Sequence, residues 1–147
     1  NLSATLKVLD SKFDHVIVDV AGRNSRELIT GATVADQIIA PHQCSQFDLD
    51  TIVELQDQVI KIRDLNPGLR VLVYHSMAST NAAVKDKERA DFLAYLSEFG
   101  EFEVLESIGF SRKVYKDASS EGRSVIETSN AIAADEITSL VKEVYGA

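Results

Sequence analysis

Apolar residues follow two different spacings that alternate along the chain. Short runs of β-branched and other apolar residues, which favour buried strands, lie at residues 13–20, 36–40, 69–75 and 102–106. Stripes with spacings of three and four residues, typical of one face of a helix, lie before, between and after these runs. They predict helices over residues 2–13, 25–34, 48–66, 92–99, 112–119 and 133–145. Ser25 is the expected N-cap of the second helix, residues 45–48 have the spacing of a capping box before the third, and Gly146 ends the last. The expected buried faces are Leu49, Ile52, Val53, Val59 and Ile60 in the third helix and Phe92, Leu93, Leu96 and Phe99 in the fourth.

Strands that alternate with helices through short connections are typical of a parallel sheet whose right-handed crossovers carry the helices. The chain has no internal repeat, and glycine (7) and proline (2) are too scarce for an interdomain linker. The sequence therefore predicts a single α/β domain over residues 1–147, with a mostly parallel β-sheet flanked by helices.

Composition narrows the class of protein. The 147 residues are 45% hydrophobic and 26% charged, which is ordinary for a globular chain and excludes a disordered or collagen-like one. Cys44 is the one cysteine, and no apolar run approaches the roughly 20 residues that span a bilayer. Because no basic segment followed by an apolar one opens the chain, we expect a cytoplasmic protein with no membrane partner.

The charge is acidic but unevenly spread. Fifteen Lys and Arg against 23 Asp and Glu give −8, which opposes association with nucleic acid. Residues 107–123 nevertheless carry a local +2 and leave −10 to the remainder, since Arg112, Lys113, Lys116 and Arg123 face only two acids there. This segment is either a basic face that contacts phosphates or a solvated helix surface.

In open parallel sheets, ligands bind beyond the carboxyl ends of the strands. Asp19 follows the apolar run 16–18, and Gly22 comes three residues later. This is the form of a Walker B element, in which a carboxylate at a buried strand tip holds Mg²⁺, usually through water, beside nucleotide phosphates. A glycine just beyond lets a backbone N–H approach the terminal phosphate.

Other chemistries find less support in the sequence. No glycine is followed by lysine, so these residues hold no phosphate-cradling P-loop, and the histidine spacings do not fit a metal site. His42 and Cys44 share one strand-end loop, which leaves open a Cys–His nucleophile or two solvated polar residues.

Three segments, in the correct order along the chain, resemble motifs of the ParA-type partition ATPases. Residues 13–28, centred on Asp19-Val20-Ala21-Gly22-Arg23, resemble the Walker B and switch segment of that family. Residues 34–49 are similar to the next family motif, and residues 108–125, which include Ile108-Gly109 and Glu121-Gly122-Arg123, are similar to a third.

The resemblance implies a deviant Walker ATPase of the ParA/MinD group with a P-loop NTPase-like fold. Such proteins use ATP and Mg²⁺ to form dimers, bind DNA nonspecifically as dimers, and act with a partition adaptor protein that stimulates hydrolysis. In that setting Asp19 assists magnesium through water, Gly22 approaches the γ-phosphate, and Arg23 belongs to the switch that senses it. Arg112, Lys113, Lys116 and Arg123 are then candidates for contacts with DNA phosphates.

Two departures from the family pattern shape the expectations. The family's P-loop segment is not in this sequence. We therefore expect the C-terminal part of the ATPase domain, incomplete at the N-terminus. In isolation this part should be inactive and bind no nucleotide. Its unpaired strand edges predict that the chain re-closes its sheet or pairs with another copy. Ser76 stands where the family usually has an adenine-reading asparagine, and a hydroxyl makes fewer hydrogen bonds than an amide. The alternative function is a nucleotide-independent interaction module that retains half of the fold.

Overall fold

The computed structural model describes residues 1–21, 25–44 and 49–146. They divide into two compact units, residues 1–39 with 48–72 and residues 40–47 with 73–147, and each unit is described by itself. The helices and strands, in chain order, are α1 (Leu2–Asp10), α2 (Arg26–Ala32), β1 (Gln37–His42), α3 (Leu49–Arg63), β2 (Arg70–Ala78), α4 (Lys85–Leu96), β3 (Glu103–Phe110), α5 (Lys113–Ser120), a 3-10 helix (Val125–Glu127) and α6 (Ala131–Tyr145).

The described strands form one parallel three-stranded sheet in the order β1-β2-β3, so β1 and β3 are its edges. This confirms the α/β class and the three strands predicted after residue 36, each of which extends two to four residues further than the apolar run indicated. No helix in the described ranges has both the length and the apolar character needed to cross a membrane.

The strand predicted over residues 13–20 is wrong, because no residue of this segment lies in a strand. Ile17 is 81% exposed, whereas the sequence predicted a run covered on both faces. A β-branched run favours the extended backbone, but it becomes a strand only when a neighbouring strand supplies the ladder of hydrogen bonds. Among the residues described here, the sheet provides none for this segment.

In the first unit, side chains at the helix ends form hydrogen bonds to the backbone. The Ser25 hydroxyl accepts a hydrogen bond from the Leu28 N–H at 3.0 Å, which confirms Ser25 as the N-cap of α2. The Asn66 amide donates to the carbonyl oxygens of Ala32 (2.9 Å) and Ala35 (2.8 Å), so the end of α3 is tied to the end of α2.

The buried face of α3 differs from the predicted one. Ile52, Val59 and Ile62 are buried, while Val53 and Ile60, which were expected on the same face, are largely exposed. Each residue turns an α-helix by about 100°, so residues 53 and 60 lie beside the buried stripe rather than within it. The capping box predicted at residues 45–48 lies outside the described residues.

The second unit has two apolar clusters. Phe92, Leu96 and Phe99 are buried as predicted, but Leu93, expected in the same stripe, is 42% exposed, because it lies about 100° around the helix from Phe92. The Phe92 ring stacks on His75 with ring centres 4.2 Å apart. A separate cluster under α6 consists of Ala118, Val125 and Ala133, with Val114, Tyr115 and Ile137 packed against it. Gly146 ends α6 in the left-handed conformation (φ 70°), as its position in the sequence indicated.

Candidate functional site

The carboxyl end of β2 carries Ser76, the residue expected near a nucleotide base. Ser76 is half-buried between the buried His75 and the exposed Met77. Met77 has a φ of 54°, which is uncommon for a residue with a side chain and is found disproportionately at functional sites. The end of this strand is therefore irregular at the position where the sequence placed recognition.

His75, the residue before Ser76, is buried and lies beside Glu88 of α4. Its Nε2 atom lies 3.3 Å from Oε1 of Glu88, and the same oxygen accepts a hydrogen bond from the Ser79 N–H at 2.9 Å. Burial lowers the pKa of His75, the Arg89 charge lowers it further, and Glu88 opposes both. The ring is consequently neutral near pH 7, and Glu88 links α4 to the turn that follows Ser76.

The His42 and Cys44 loop does not fit nucleophilic catalysis. Burial raises the pKa of the Cys44 thiol, and the charges of Glu88 and Asp91 raise it further. Burial also lowers the pKa of His42, which disfavours the imidazolium that stabilises a thiolate. The Cys44 thiol instead donates a weak hydrogen bond to the Glu88 carbonyl oxygen at 3.6 Å.

The residues expected around Mg²⁺ and phosphate are only partly described. Asp19 is exposed in a segment outside helices and strands, and Gly22 and Arg23 lie outside the described residues. Within the described ranges, no three His, Cys, Asp or Glu side chains are grouped to hold a metal ion. Asp19, as a single exposed carboxylate, does not by itself supply the ligands that Mg²⁺–ATP requires.

Arg112 is bound within its own unit. Its Nε atom donates to Oε1 of Glu136 at 2.6 Å, and the two side chains are 26% and 9% exposed. Tyr115 donates to the other carboxylate oxygen of Glu136 at 2.7 Å, and the Arg112 guanidinium lies over the Phe110 ring. Arg112 therefore joins β3, α5 and α6, and most of its charge is compensated by Glu136.

The other basic candidates differ in how much of their charge is exposed. Lys113 and Lys116 are exposed three residues apart on α5, which places them on one face of the helix. Lys113 has only a loose, solvated contact with Asp117 at 3.8 Å. Arg123 contacts the Glu121 carboxylate and donates to the Glu127 carbonyl oxygen. The structure thus leaves Lys113 and Lys116 as the most available cations of the segment.

An open groove between β3 and α6 has a volume of about 860 Å³. Its apolar lining includes Ile108, Phe110 and Ile132, and its charged lining includes Arg112 and Glu136. No spacing in the sequence indicates this groove, because tertiary packing brings residues 106–112 and 132–143 together.

Charged side chains bind backbone groups in the middle of β3, at a distance along the chain that no sequence pattern indicates. The two carboxylate oxygens of Glu143 accept hydrogen bonds from the Glu106 N–H (2.6 Å) and the Ser107 N–H (2.8 Å). Arg89 donates to the Leu105 carbonyl oxygen at 2.7 Å. These contacts satisfy three backbone groups of β3.

Comparison with known proteins identifies the family of this chain. The family model described as ATPase MipZ matches residues 1–96, from α1 to the end of α4. No curated protein matches the chain. Since the matched residues are well over half of the 147, the chain belongs to the MipZ ATPase family, which is ParA/MinD-like.

Proposed function

We propose that this chain works in the cytoplasm as part of a ParA-like partition ATPase that segregates plasmid or chromosomal DNA. ATP-dependent dimerisation, nonspecific DNA binding and stimulation by a partition adaptor protein are parts of this proposal. The family match over residues 1–96 carries it. In this proposal Asp19 assists Mg²⁺ through water and Gly22 approaches the γ-phosphate. Arg23 belongs to the switch that senses this phosphate, and Ser76 lies near the adenine base.

The exposed cations of α5 support the DNA-binding part of the proposal. Lys113 and Lys116 share one helix face, and their side chains are free to approach phosphates without breaking the Arg112–Glu136 ion pair. Arg112 is a poor position for a test, because Arg112→Glu would place two carboxylates together and disturb packing.

The DNA test therefore uses Lys113→Glu/Lys116→Glu, with Lys85→Glu/Lys87→Glu on exposed positions of α4 as the control that makes the same change in net charge. Affinity for a DNA duplex is measured by fluorescence anisotropy over a range of salt concentrations. Losing two phosphate contacts should flatten the log–log salt slope by about 1.8, at about 0.9 per contact. An equal loss in both variants would assign the effect to net charge and contradict contact at α5.

The nucleotide part is tested by phosphate release with Mg²⁺–ATP. Because the sequence holds no P-loop, the chain alone should release phosphate at the rate of the blank. Turnover above the blank that disappears in Asp19→Asn would overturn the expectation of inactivity and would support the role of Asp19.

A nucleotide-independent interaction module is the second candidate function, and the groove between β3 and α6 favours it. The sequence that precedes residue 1 in the parent gene separates the two. A glycine-rich loop ending in Gly-Lys and Ser or Thr supports the ATPase proposal, because such a loop cradles nucleotide phosphates. A preceding sequence without such a loop favours the interaction module.

A further inference from the structure

The groove between β3 and α6 carries more negative than positive charge. Its lining holds four carboxylates and two basic side chains, which gives a net charge of −2. Arg112 and Glu136 neutralise each other through their ion pair. The charge that remains belongs to three acids and one base, namely Glu106, Asp135, Glu143 and Lys142. The groove is therefore an acidic surface.

Two exposed acids stand at opposite ends of the groove. The Glu106 N–H binds Glu143 and the Phe110 N–H binds Glu136, so β3 and α6 run in opposite directions along the groove. Asp135 consequently lies at the Phe110 end, four residues or roughly 13 Å along β3 from Glu106. Within the described ranges, neither the Glu106 nor the Asp135 carboxylate has an ion pair.

Apolar side chains lie beside these acids. Ile132, in the first turn of α6, is 62% exposed, and Ile108 and Phe110 of β3 are partly exposed. Large apolar side chains that stay accessible in a groove rimmed by charged residues are typical of a surface that another protein covers. Lys113 and Lys116 do not line the groove, so its occupant leaves the proposed DNA-binding face of α5 accessible.

The charge of the groove decides among the classes of occupant. A nucleic acid is repelled by a lining of net charge −2. A second copy that presents the same groove brings like charges together, which disfavours a two-fold contact through this face. A segment that carries Lys or Arg beside bulky apolar residues complements both the carboxylates and the apolar side chains.

We propose that the groove binds a cationic amphipathic segment of another protein. Its Lys or Arg side chains pair with Glu106 and Asp135, and its apolar side chains cover Ile132. This inference rests on the second candidate function, the interaction module, and names the chemistry of its partner. Because exposed ion pairs each contribute little free energy, the apolar contact supplies most of the affinity and the charges supply selectivity.

The test uses synthetic peptides of defined composition and no nucleotide. A fluorescein-labelled peptide of about 14 residues, with Leu on one helix face and Lys on the other, is the cationic probe. The same peptide with Glu in place of every Lys is the acidic probe. Fluorescence anisotropy at physiological salt should show saturable binding of the cationic probe and no binding of the acidic one.

Glu106→Gln/Asp135→Asn tests the charge of the groove. It should weaken binding of the cationic probe by roughly three- to tenfold, because two exposed ion pairs are lost. Asp86→Asn/Glu98→Gln is the matched control, since both residues are exposed outside the groove lining in the same unit and the change in net charge is equal. An equal loss of affinity in both variants would assign binding to net charge and overturn the proposal.

Ile132→Thr tests the apolar contact. It keeps a β-branched side chain but removes apolar area, so binding of the cationic probe should weaken by at least about threefold. Val141→Thr is the control and should bind as the parent does, because Val141 is 42% exposed on the same helix, about 180° around from Ile132.

Three further outcomes would each overturn the proposal: no binding of the cationic probe, equal binding of the acidic probe, or an Ile132→Thr affinity equal to that of the parent chain. The sequence that precedes residue 1 tests the second candidate function independently of these peptides. A failure of the groove proposal is therefore distinguishable from a failure of the function on which it rests.

Discussion

Gly109 lies under the ring of Tyr74, and adding a single methyl group there tests the packing of β2 against β3. A Cβ atom at residue 109 would stand 2.4 Å from the Tyr74 hydroxyl oxygen, 3.0 Å from Cζ and 3.1 Å from Cε1. Real Cβ atoms essentially never approach another heavy atom within 3.0 Å. Since Tyr74 is only 8% exposed, its ring has little free space to move into.

Gly109→Ala should therefore destabilise the chain. Forcing an extra carbon into a packed interior costs about 1–3 kcal/mol. Loss of glycine's freedom in the unfolded chain returns about 0.4–1 kcal/mol, which leaves a net loss of about 1–2 kcal/mol. At roughly 3 °C per kcal/mol for a chain of this size, the melting temperature should fall by roughly 3–6 °C. Gly100→Ala is the matched control, because nothing lies within 4 Å of a Cβ there.

Tyr74→Phe identifies the atom responsible. The Tyr74 hydroxyl is buried with no hydrogen-bond partner in the described structure, and burial together with the Glu136 charge raises its pKa to about 12. Removing this hydroxyl alone should be neutral or stabilising, because no hydrogen bond is lost. In the Tyr74→Phe background the closest contact disappears, so Gly109→Ala should cost less than in the parent chain. Urea denaturation of all four chains gives the coupling, and an equal cost in both backgrounds would refute the steric account.

Three further predictions concern buried or bridging charges. Glu136→Gln should lower the free energy of unfolding, measured by urea denaturation, by about 1–3 kcal/mol, because Arg112 and Tyr115 lose a charged acceptor. Asp135→Asn, at the exposed neighbouring position, is the control and should change it little. The pKa of His75 is lowered in the folded state, so its contribution to stability is complete above pH 6.5. This contribution is lost as the pH falls toward the pKa of His75 in the folded chain. His75→Leu should therefore flatten this part of the curve of stability against pH. For Glu143, burial raises the pKa, but hydrogen bonds from Ser107 and Glu106 lower it more, so the net shift is downward. Its contribution is present above about pH 4.5 and lost in more acidic solution, and a Glu143→Gln curve parallel to the parent's would contradict this.

Local signals in the sequence predicted the elements that depend on local interactions. Ser25 caps α2 because its hydroxyl reaches an N–H three residues away, and Gly146 ends α6 because glycine adopts a positive φ without strain. The β-branched run at residues 16–18 also favours a strand locally. It forms none, because a strand needs a neighbouring strand that is distant in sequence.

The contacts around β3 show why the candidate site was harder to predict. Glu136 is 24 residues from Arg112, and Glu143 is 37 residues from Glu106. Neither pairing produces a periodicity or a spacing that a single sequence reveals. Counting charges found the basic segment, but only the positions of the side chains showed that Arg112 is compensated within the protein.

This compensation changes what the basic segment can do for DNA binding. With Arg112 paired to Glu136 and Arg123 beside Glu121, one copy presents mainly Lys113 and Lys116 to phosphates. Two contacts correspond to a log–log salt slope of about −1.8, which is weak for a chain of charge −8, while a dimer that presents both copies reaches about −3.6. The proposed nonspecific DNA binding should therefore depend on the oligomeric state of the chain. A log–log salt slope that is equal for monomer and dimer fractions separated by gel filtration would contradict this dependence.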